Sequence, residues 1–334
     1  MRSAPYLDLQ HLQSPMLAQA VQDHRAWTRA TLGPGEWSVP FSADCLAEVE
    51  ALLVQVARDP LPLLLLEPGQ FKLAACRAAL NQVRQRLHGG IGLAVLDRLP
   101  VERWSREQID RVYWVLGRCL APLVAQKWDG TMVYEVRDTG RSFGYGVRAS
   151  WTNVELFFHT DNCFAVAPPD YVSLLCLQPA QSGGISRFCS LYTVHNRMLE
   201  RHPRLLARLY RPAFYDRQAE HGPEDPKVAW APTFAFDGKM LRARLSIGLV
   251  RRGYELMDRQ MDAELAEALE ALDQIMRDES LWVEFVIEKG QIQYLNNWEL
   301  AHFRSQFQDA EDPALKRHLI RVWYRESGRP FYIG

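Results

Sequence analysis

A histidine and a carboxylate stand two residues apart at the end of an apolar segment, residues 156–161 (LFFHTD). In a β-strand, residues i and i+2 point to the same side, so His159 and Asp161 are expected to face one spot together. Such a pair could hold a metal ion or form a hydrogen-bonded structural pair. The tripeptide alone is weak evidence, because His-x-Asp occurs by chance in many chains of this length.

A second histidine, His302, lies far along the chain in residues 296–304 (NNWELAHFR). Two histidines and one carboxylate form the facial triad of non-haem Fe(II) oxygenases, which leaves further coordination positions open. The same ligand types also suit Zn²⁺. The structural alternative for His302 is a buried imidazole that is hydrogen-bonded to a backbone carbonyl. The residue types alone leave these alternatives open.

Two arginines, Arg317 and Arg321, lie in a segment that has the apolar pattern of a buried strand (RHLIRVWY). On a strand, Arg317, Leu319 and Arg321 share a face, which predicts two guanidinium groups on the side of one pocket. Unpaired charges are costly inside a protein, so these arginines need an anion, either an internal carboxylate or a ligand. Ser186 follows the turn Gly183-Gly184, where the backbone can approach a ligand closely.

The elements that would position these residues change in type along the chain. The first 90 residues are predicted to be mainly helical, with apolar residues at helical spacing in residues 71–87. A strand over 92–96 and a helix over 106–119 follow, with Ser105 as the N-cap and Gln108 at capping-box distance. From about residue 130, strands are predicted at 132–136, 151–159, 171–177, 185–189, 281–287, 291–294 and 317–324, with helices near 193–209 and 262–277.

The order of these elements predicts the fold class. Short strands without regular crossover helices disfavour a doubly wound sheet. They favour a mainly β fold with helical decoration, a double-stranded β-helix or jelly roll. Because the sequence has no repeat and no evident linker, we expect one domain over residues 1–334. Its N-terminal part, 1–90, would be mostly helical, and 91–334 would form the jelly-roll core with helical insertions.

The composition limits the partners and the compartment. The 334 residues are 48% hydrophobic and 24% charged, as in an ordinary globular protein. A net charge of −1 argues against nucleic acid and anionic membranes as partners. The longest apolar run, residues 61–66, is too short to cross a bilayer. The six scattered cysteines are expected to be free core thiols in a reducing cytoplasm. We expect a cytoplasmic protein, and a homo-oligomer is possible.

Taken in order, four segments resemble the taurine/2,4-D dioxygenase family (TauD/TfdA, clavaminate synthase-like) of Fe(II)- and 2-oxoglutarate-dependent oxygenases. The segments are FFHTDNCFAVAPPDYVSLLCL, SGGIS, NNWELAHFR and KRHLIRVWYR. The resemblance extends from about residue 90 to residue 329. The ordered set is far more specific than any one of its members.

The resemblance implies a role for each matching residue. Iron would be held by His159, Asp161 and His302. Ser186, 27 residues after His159, matches a family Thr or Ser that helps to bind 2-oxoglutarate. Arg317, 15 residues after His302, matches the arginine that grips the distal carboxylate of 2-oxoglutarate. Arg321 matches a second arginine that meets the co-substrate or the substrate. The chain departs from the pattern at Ser186, where Thr is commoner, and at Phe303, where a small residue is usual.

The implied activity is the oxidation of a substrate C–H bond with O₂, while 2-oxoglutarate is converted to succinate and CO₂. Related halogenases lack the carboxylate that Asp161 supplies, so hydroxylation of a small molecule, possibly an amino acid or a derivative, is expected. Glu155, four residues before His159, would face the iron ligands and could bind an ammonium or guanidinium group, or else pair with a pocket arginine. The other candidate substrate contacts are Tyr145, Arg148, Trp151, Asn153 and Arg304, several of them in a segment where relatives carry a lid.

Two other classes of protein remain as alternatives. A hydrolase or isomerase could use the same three ligands with zinc or manganese, but it would leave Arg317 and Ser186 without a task. A catalytically silent jelly-roll binding protein would have no reason to keep the three ligands and the arginine together.

Overall fold

Helices and strands are interspersed along residues 5–33, 35–144 and 146–332, which the computed structural model describes. The α-helices are α1 (Ala43–Arg58), α2 (Ala74–Leu87), α3 (Arg106–Leu120), α4 (Leu191–Arg201), α5 (Pro203–Leu209), α6 (Ile247–Leu256) and α7 (Ala263–Met276). The strands are β1 (Leu7–Asp8), β2 (Ser38–Pro40), β3 (Leu93–Asp97), β4 (Leu123–Val124), β5 (Tyr134–Val136), β6 (Leu156–His159), β7 (Tyr171–Gln178), β8 (Ser182–Gly183), β9 (Ser186–Ser190), β10 (Pro212–Asp216), β11 (Val228–Pro232), β12 (Phe234–Phe236), β13 (Leu241–Ala243), β14 (Trp282–Phe285), β15 (Ile292–Asn296), β16 (Leu300–Arg304), β17 (Phe307–Gln308) and β18 (His318–Tyr324).

Local sequence signals explain where several helices begin. The predicted capping box of α3 is present: the Gln108 amide donates to Ser105 Oγ at 3.3 Å, and the Ser105 amide donates to Gln108 Oε1 at 2.8 Å. These bonds satisfy amides that a helix N-terminus leaves without partners. In α2 the buried residues include Cys76, Leu80 and Val83. Their spacing of three and four residues gives the helix one apolar face.

Two sheets carry the residues of interest. The larger sheet has the strand order β2-β3-β15-β7-β18-β4, and β5 also pairs with β18. The smaller sheet has the order β14-β9-β16-β6. It contains His159 on β6, His302 on β16 and Ser186 on β9. Three segments that are remote in sequence therefore become neighbours through antiparallel pairing.

Strand alternation decides which side chains of the smaller sheet face inward. On β16, Ala301 and Phe303 belong to the apolar cluster formed with α4, α6 and α7. Leu300 belongs instead to a cluster that also contains Leu295 and Trp323 of the larger sheet. His302 and Arg304 lie two and four residues after Leu300, so their side chains are on the same face of the strand as Leu300. This is the face opposite the helices. Phe303 therefore points into the helical layer.

The fold is a mixed α/β arrangement with many strands in sheets. Among the described residues, the α-helices contain at least as many residues as the strands, so the prediction of a mainly β fold was too narrow. The predicted strand 151–159 was too long, because residues Ala149–Trp151 form a 3₁₀ turn and β6 begins only at Leu156. All six cysteines are free thiols, as expected. No helix within the described ranges is long and apolar enough to cross a bilayer.

Candidate metal centre

The three predicted metal ligands converge in space. His302 lies directly opposite His159 in the antiparallel pairing of β16 with β6. The Nε2 atoms of His159 and His302 each lie 3.6 Å from Oδ1 of Asp161. One ligand atom from each residue lies within 4.8 Å of the others. The separations are too long for hydrogen bonds and fit one ion placed about 2.1 Å from each donor.

A bulge in β6 lies next to this cluster. His302 pairs with His159, but Arg304, two residues further, pairs with Leu156, three residues back. One strand thus carries an extra residue, which re-aims the side chains near the site. It also breaks the simple alternation that placed Glu155 on the same side as the iron ligands.

Both imidazoles are suited to donate a lone pair. His159 Nδ1 lies 2.8 Å from the backbone oxygen of Phe157. Since that ring nitrogen must carry the proton to bond a carbonyl oxygen, Nε2 is left free for a metal. Burial, together with neighbouring His159, lowers the pKa of His302 to about 4. The His302 imidazole is therefore neutral near pH 7.

The Asp161 carboxylate is ionised and fixed in orientation. Burial raises its pKa, but the charge of Arg321 and the proximity of the two histidines outweigh burial and hold the pKa well below its usual range. Arg321 Nη1 donates to Asp161 Oδ2 at 2.9 Å, and Trp323 Nε1 donates to the same oxygen at 2.8 Å. Because Oδ2 is engaged by the protein, Oδ1 is directed toward the histidines.

Two supporting residues were missed in the sequence. Gln126 is fully buried, accepts from Arg321 Nε at 2.8 Å, and donates to the Arg321 backbone oxygen at 2.7 Å. Asn297 Oδ1 accepts from the Asp161 amide at 2.7 Å, and its Nδ2 donates to the Asp161 backbone oxygen at 2.9 Å. Neither has a sequence signal, apart from the position of Asn297 within the NNWELAHFR segment. Outer partners of this kind orient the ligands of metal sites.

The residues present fit a divalent metal ion. The donors are two imidazoles and one ionised carboxylate, which is the ligand set of non-haem Fe(II) centres with open positions. The buried Nδ1 of His302 has no hydrogen-bond partner among the described residues.

Arg317 and Arg304 form a second cationic cluster around the ring of Phe307. Arg317 is buried, at 4% exposure, and its Nη1 has no partner among the described residues. Its guanidinium carbon lies 4.9 Å from the ring centre of Phe307, and that of Arg304 lies 5.0 Å from the same ring. Burial lowers the pKa of Arg317 to about 10, and burial with the charge of Arg317 lowers that of Arg304 to about 9. Ser186 pairs directly with Arg304 across the two strands.

The two family arginines have different partners. Arg321 donates to Asp161 Oδ2, whereas Nη1 of Arg317 has no partner among the described residues. A register shift lies at the start of the β18–β7 pairing, where His318 pairs with Gln178 and Leu319 with Cys176, so the extra residue is on β7. That both arginines face one pocket stays a prediction.

A cavity of about 310 Å³ opens beside the metal ligands and includes His159 and Asp161 in its wall. Its apolar lining includes aromatic side chains, namely Phe143, Phe157, Phe158, Phe164, Trp323 and Tyr332. A cavity of this volume with a few polar groups is typical of a small-molecule site.

Two of the six predicted substrate contacts line this cavity. Glu155 and Arg148 line the cavity, and Glu155 is exposed at its rim. The charge of Arg148 is already neutralised within the protein, because this side chain forms a buried ion pair with Glu220.

The remaining candidates lie elsewhere. Trp151 stacks on Tyr134 with ring centres 6.4 Å apart, Asn153 accepts a backbone bond from Phe307, and Arg304 binds the carbonyls of Thr152 and Val154. None of these three lines the cavity. Tyr145 lies outside the described residues.

The fold and the site together indicate the class of protein to which this chain belongs. Residues 58–323 match the taurine catabolism dioxygenase TauD, TfdA family, and the chain belongs to this family. This membership confirms the resemblance inferred from the sequence. It also confirms the enzyme class predicted with it, a non-haem iron oxygenase that uses 2-oxoglutarate.

Three individual relatives have sequence identities to this chain between 16% and 27%. FR-33289 synthase of Streptomyces rubellomurinus (strain ATCC 31215) is 27% identical over 328 residues, which cover 95% of this chain and 94% of the relative. An asparagine oxygenase solved with Fe(II), 2S,3S-3-hydroxyasparagine and succinate has a TM-score of 0.64 at 19% identity, over 86% of this chain and 93% of the other. The non-heme iron oxygenase OrfP, solved with Fe and alpha-ketoglutaric acid, has a TM-score of 0.62 at 16% identity, over 87% and 94%. These two structures share the fold.

Proposed function

We propose that the protein is an Fe(II)- and 2-oxoglutarate-dependent dioxygenase that hydroxylates an unactivated C–H bond of a small molecule, with release of succinate and CO₂. The observation that carries the proposal is the pairing of the His159–Asp161–His302 cluster with a buried arginine, Arg317, whose Nη1 has no partner in the described chain. A metal triad alone fits several enzymes. A buried cation that needs an anion beside it fits a dicarboxylate co-substrate.

Each residue of the site would have a separate role in binding the metal, the co-substrate or the substrate. His159, Asp161 and His302 would hold Fe(II), and Arg317 would pair with the far carboxylate of 2-oxoglutarate, assisted by Ser186. When bound, the iron and 2-oxoglutarate together supply the activation of O₂. Arg321 holds the Asp161 carboxylate in place and, since it also lines the cavity, could contact the substrate. The aromatic wall of the cavity would exclude water from the reacting C–H bond.

For the substrate we propose an amino acid or an amino-acid-derived molecule. The two solved relatives bear on this choice, because one was solved with a hydroxyasparagine and OrfP was also solved with a hydroxylated L-arginine. Glu155 at the cavity rim could receive a substrate ammonium group. We further propose that the two main sheets form a double-stranded β-helix, that the chain is a single domain, and that it acts in the cytoplasm.

The alternatives account for less of the site. A zinc- or manganese-dependent hydrolase on the same ligands would give Arg317 no anion. A silent binding protein would not need the network of Gln126, Arg321 and Trp323 that orients Asp161.

The test uses purified protein loaded anaerobically with Fe(II) and 2-oxoglutarate. We expect the visible metal-to-ligand charge-transfer band typical of this class, its loss in His159→Ala, and its weakening in Arg317→Ala. Absence of the band in folded wild-type protein would refute the proposal. Succinate release across a panel of free amino acids, sulfonates and aryloxy acids would then narrow the substrate.

A further inference from the structure

A second cavity, of about 180 Å³, has none of the three metal ligands in its wall. Its wall is built by the N-terminal segment at Leu12, by strands β12 and β13, and by Trp298 in the turn between β15 and β16. It shares no lining residue with the main cavity. Sites for drug-sized ligands begin at roughly 300 Å³. A ligand of this second cavity would therefore be a small molecule.

A buried arginine, Arg244, forms part of this wall. It is 5% exposed, and its partners in the described chain are all backbone oxygens. Its Nη1 donates to Cys163 at 2.9 Å and to Ala165 at 2.5 Å, and its Nη2 donates to Val166 at 3.1 Å. A guanidinium has five N–H donors, so Nε and one hydrogen of Nη2 have no acceptor among the described residues. Burial lowers the pKa of Arg244 to about 10, so an anion beside it would stabilise the charged form.

Its position on a cavity sets Arg244 apart from other buried arginines of the chain. Arg304 and Arg325 also bond backbone oxygens, but neither of them lines either cavity. The Nε atom of each is fully enclosed without a partner in the described chain. The Nε atom of Arg244 is not among the enclosed atoms of this kind. It is therefore accessible, and the cavity that Arg244 lines is the space from which a ligand would reach it.

The other charged groups of the wall leave one positive charge without a counter-ion. Arg242 is half-exposed, and its Nη2 lies 3.5 Å from Asp237 Oδ2. Asp237 Oδ1 accepts from two backbone amides, so this carboxylate is already engaged. The guanidinium carbons of Arg242 and Arg244 lie 5.6 Å and 5.5 Å from the ring centre of Trp298. Two cations thus flank one aromatic side chain, and a single carboxylate faces them.

Apolar side chains complete the wall, and they restrict the kind of anion that fits. Leu12, Pro232, Ala235 and Phe236 line the cavity together with Trp298. An inorganic anion would leave this apolar surface in contact with water. An organic anion with an apolar body would cover it and gain from its burial.

We propose that this cavity is a second ligand site, which binds a small organic carboxylate with its carboxylate at Arg244 and Arg242 and its apolar body against Trp298 and Phe236. The site goes beyond the proposed function and does not depend on it. Because no metal ligand lines the cavity, the molecule bound here is not the one that is oxidised.

The test compares probes that carry the charge, the apolar body or both. Benzoate and 3-methylbutanoate carry both, benzamide lacks the charge, and acetate lacks the apolar body. Each is titrated calorimetrically into protein saturated with Fe(II) and 2-oxoglutarate under anaerobic conditions, so that the metal and co-substrate sites are filled. We expect at least one of the first two probes to bind about tenfold or more tightly than benzamide and acetate.

Variants locate the binding site. Arg244→Gln should weaken binding of the carboxylate probe about tenfold or more, and Arg242→Gln should weaken it several-fold. Ala235→Leu adds bulk to the cavity wall without changing a charge and should block binding. Arg251→Gln is the matched control for Arg242→Gln and should bind like the wild type. Arg251 is 57% exposed, lies 3.7 Å from Glu270, and lines neither cavity.

Thermal unfolding of each variant separates a loss of binding from a loss of the fold. Arg244 also supports the backbone of residues 163–166, so Arg242→Gln and Ala235→Leu decide the question if Arg244→Gln does not fold. The inference is overturned when neither carboxylate probe binds the wild type, or when benzamide binds as tightly as benzoate. It is also overturned when Arg242→Gln and Ala235→Leu bind like Arg251→Gln, since the probe would then occupy another part of the protein.

Discussion

Replacing Arg317 with methionine should stabilise the protein that lacks 2-oxoglutarate and remove its response to that ligand. The Arg317 side chain is buried, its Nη1 has no partner in the described chain, and burial lowers its pKa to about 10. The ordinary pKa of arginine lies above 12. The site therefore disfavours the charged guanidinium of Arg317 unless an anion binds next to it.

The size of the effect follows from these values. A tenfold change in proton affinity corresponds to about 1.4 kcal/mol, so the buried charge of Arg317 costs on the order of 3 kcal/mol. Methionine keeps apolar contact with Phe307 but loses the cation–π interaction at 4.9 Å, worth about 1–2 kcal/mol when buried. The free energy of unfolding without co-substrate should therefore rise by about 1–2 kcal/mol.

The assay is urea unfolding with Fe(II) present under anaerobic conditions, with and without 2-oxoglutarate. At a concentration one hundred times its dissociation constant, the ligand should stabilise the wild type by about 2.7 kcal/mol. A variant that binds one hundredfold more weakly should gain only about 0.4 kcal/mol. Arg251→Met, on the exposed face of α6, controls for general effects of the substitution. The reasoning fails if Arg317→Met is destabilised and still gains as much from the ligand as the wild type does.

Other perturbations test the parts of the structure around the site. Gln126→Ala should lower Fe(II) affinity about 10–100-fold, because the arginine that orients the metal-binding carboxylate loses its support; a chelator competition that gives wild-type affinity would contradict this. Burial raises the pKa of Glu299 to about 7, so the folded protein holds a proton there that the unfolded chain releases above about pH 4.5. Its contribution to stability is present below that pH and is lost, by up to about 3 kcal/mol, as the pH rises through 7. The free energy of unfolding of Glu299→Gln, measured by chemical denaturation between about pH 4.5 and 8, should lack this decrease with rising pH. Gly290→Ala should cost about 3 kcal/mol or more, because the residue has φ +83° and its Cβ would collide with the Leu99 backbone oxygen. Gly238→Ala, at φ +93° in open space, should cost only about 1–2 kcal/mol, and equal losses in thermal unfolding would refute the contribution of the collision.

The metal ligands could be predicted from the sequence because their signal is local and ordered. His159 and Asp161 are fixed by a two-residue spacing, and His302 was identified by its place in the NNWELAHFR segment. The strand β16, which carries His302, was not among the predicted strands. Antiparallel pairing of β6 with β16 then sets the two histidines opposite each other. Eight of the 18 strands, among them β6, β7, β9 and β18, were predicted for the same reason, since apolar periodicity is a local property. The strands β10–β13 and the helix α6 were not predicted.

Positions that depend on irregular strands could not be predicted. The bulge in β6 changes its alternation relative to β16, and the register shift between β7 and β18 places one extra residue on β7. Neither irregularity has a signal in the sequence. The direction of the Glu155 side chain could therefore not be predicted from its spacing to His159 alone. Gln126 was missed because a single glutamine carries no pattern. Only the tertiary structure brings it to Arg321.

The different partners of the two arginines have an electrostatic consequence for the site. Arg321 neutralises Asp161 through a direct 2.9 Å bond, so the protein ligands as a group bring no net charge to a bound divalent ion. The ion would keep its full attraction for a dianionic co-substrate. Arg317, which has no carboxylate bonded to its guanidinium among the described ion pairs, is then available for the second carboxylate. If Arg321 were not bonded to Asp161, the carboxylate would leave a negative charge beside the bound ion, and the attraction of the site for a dianionic co-substrate would be weaker.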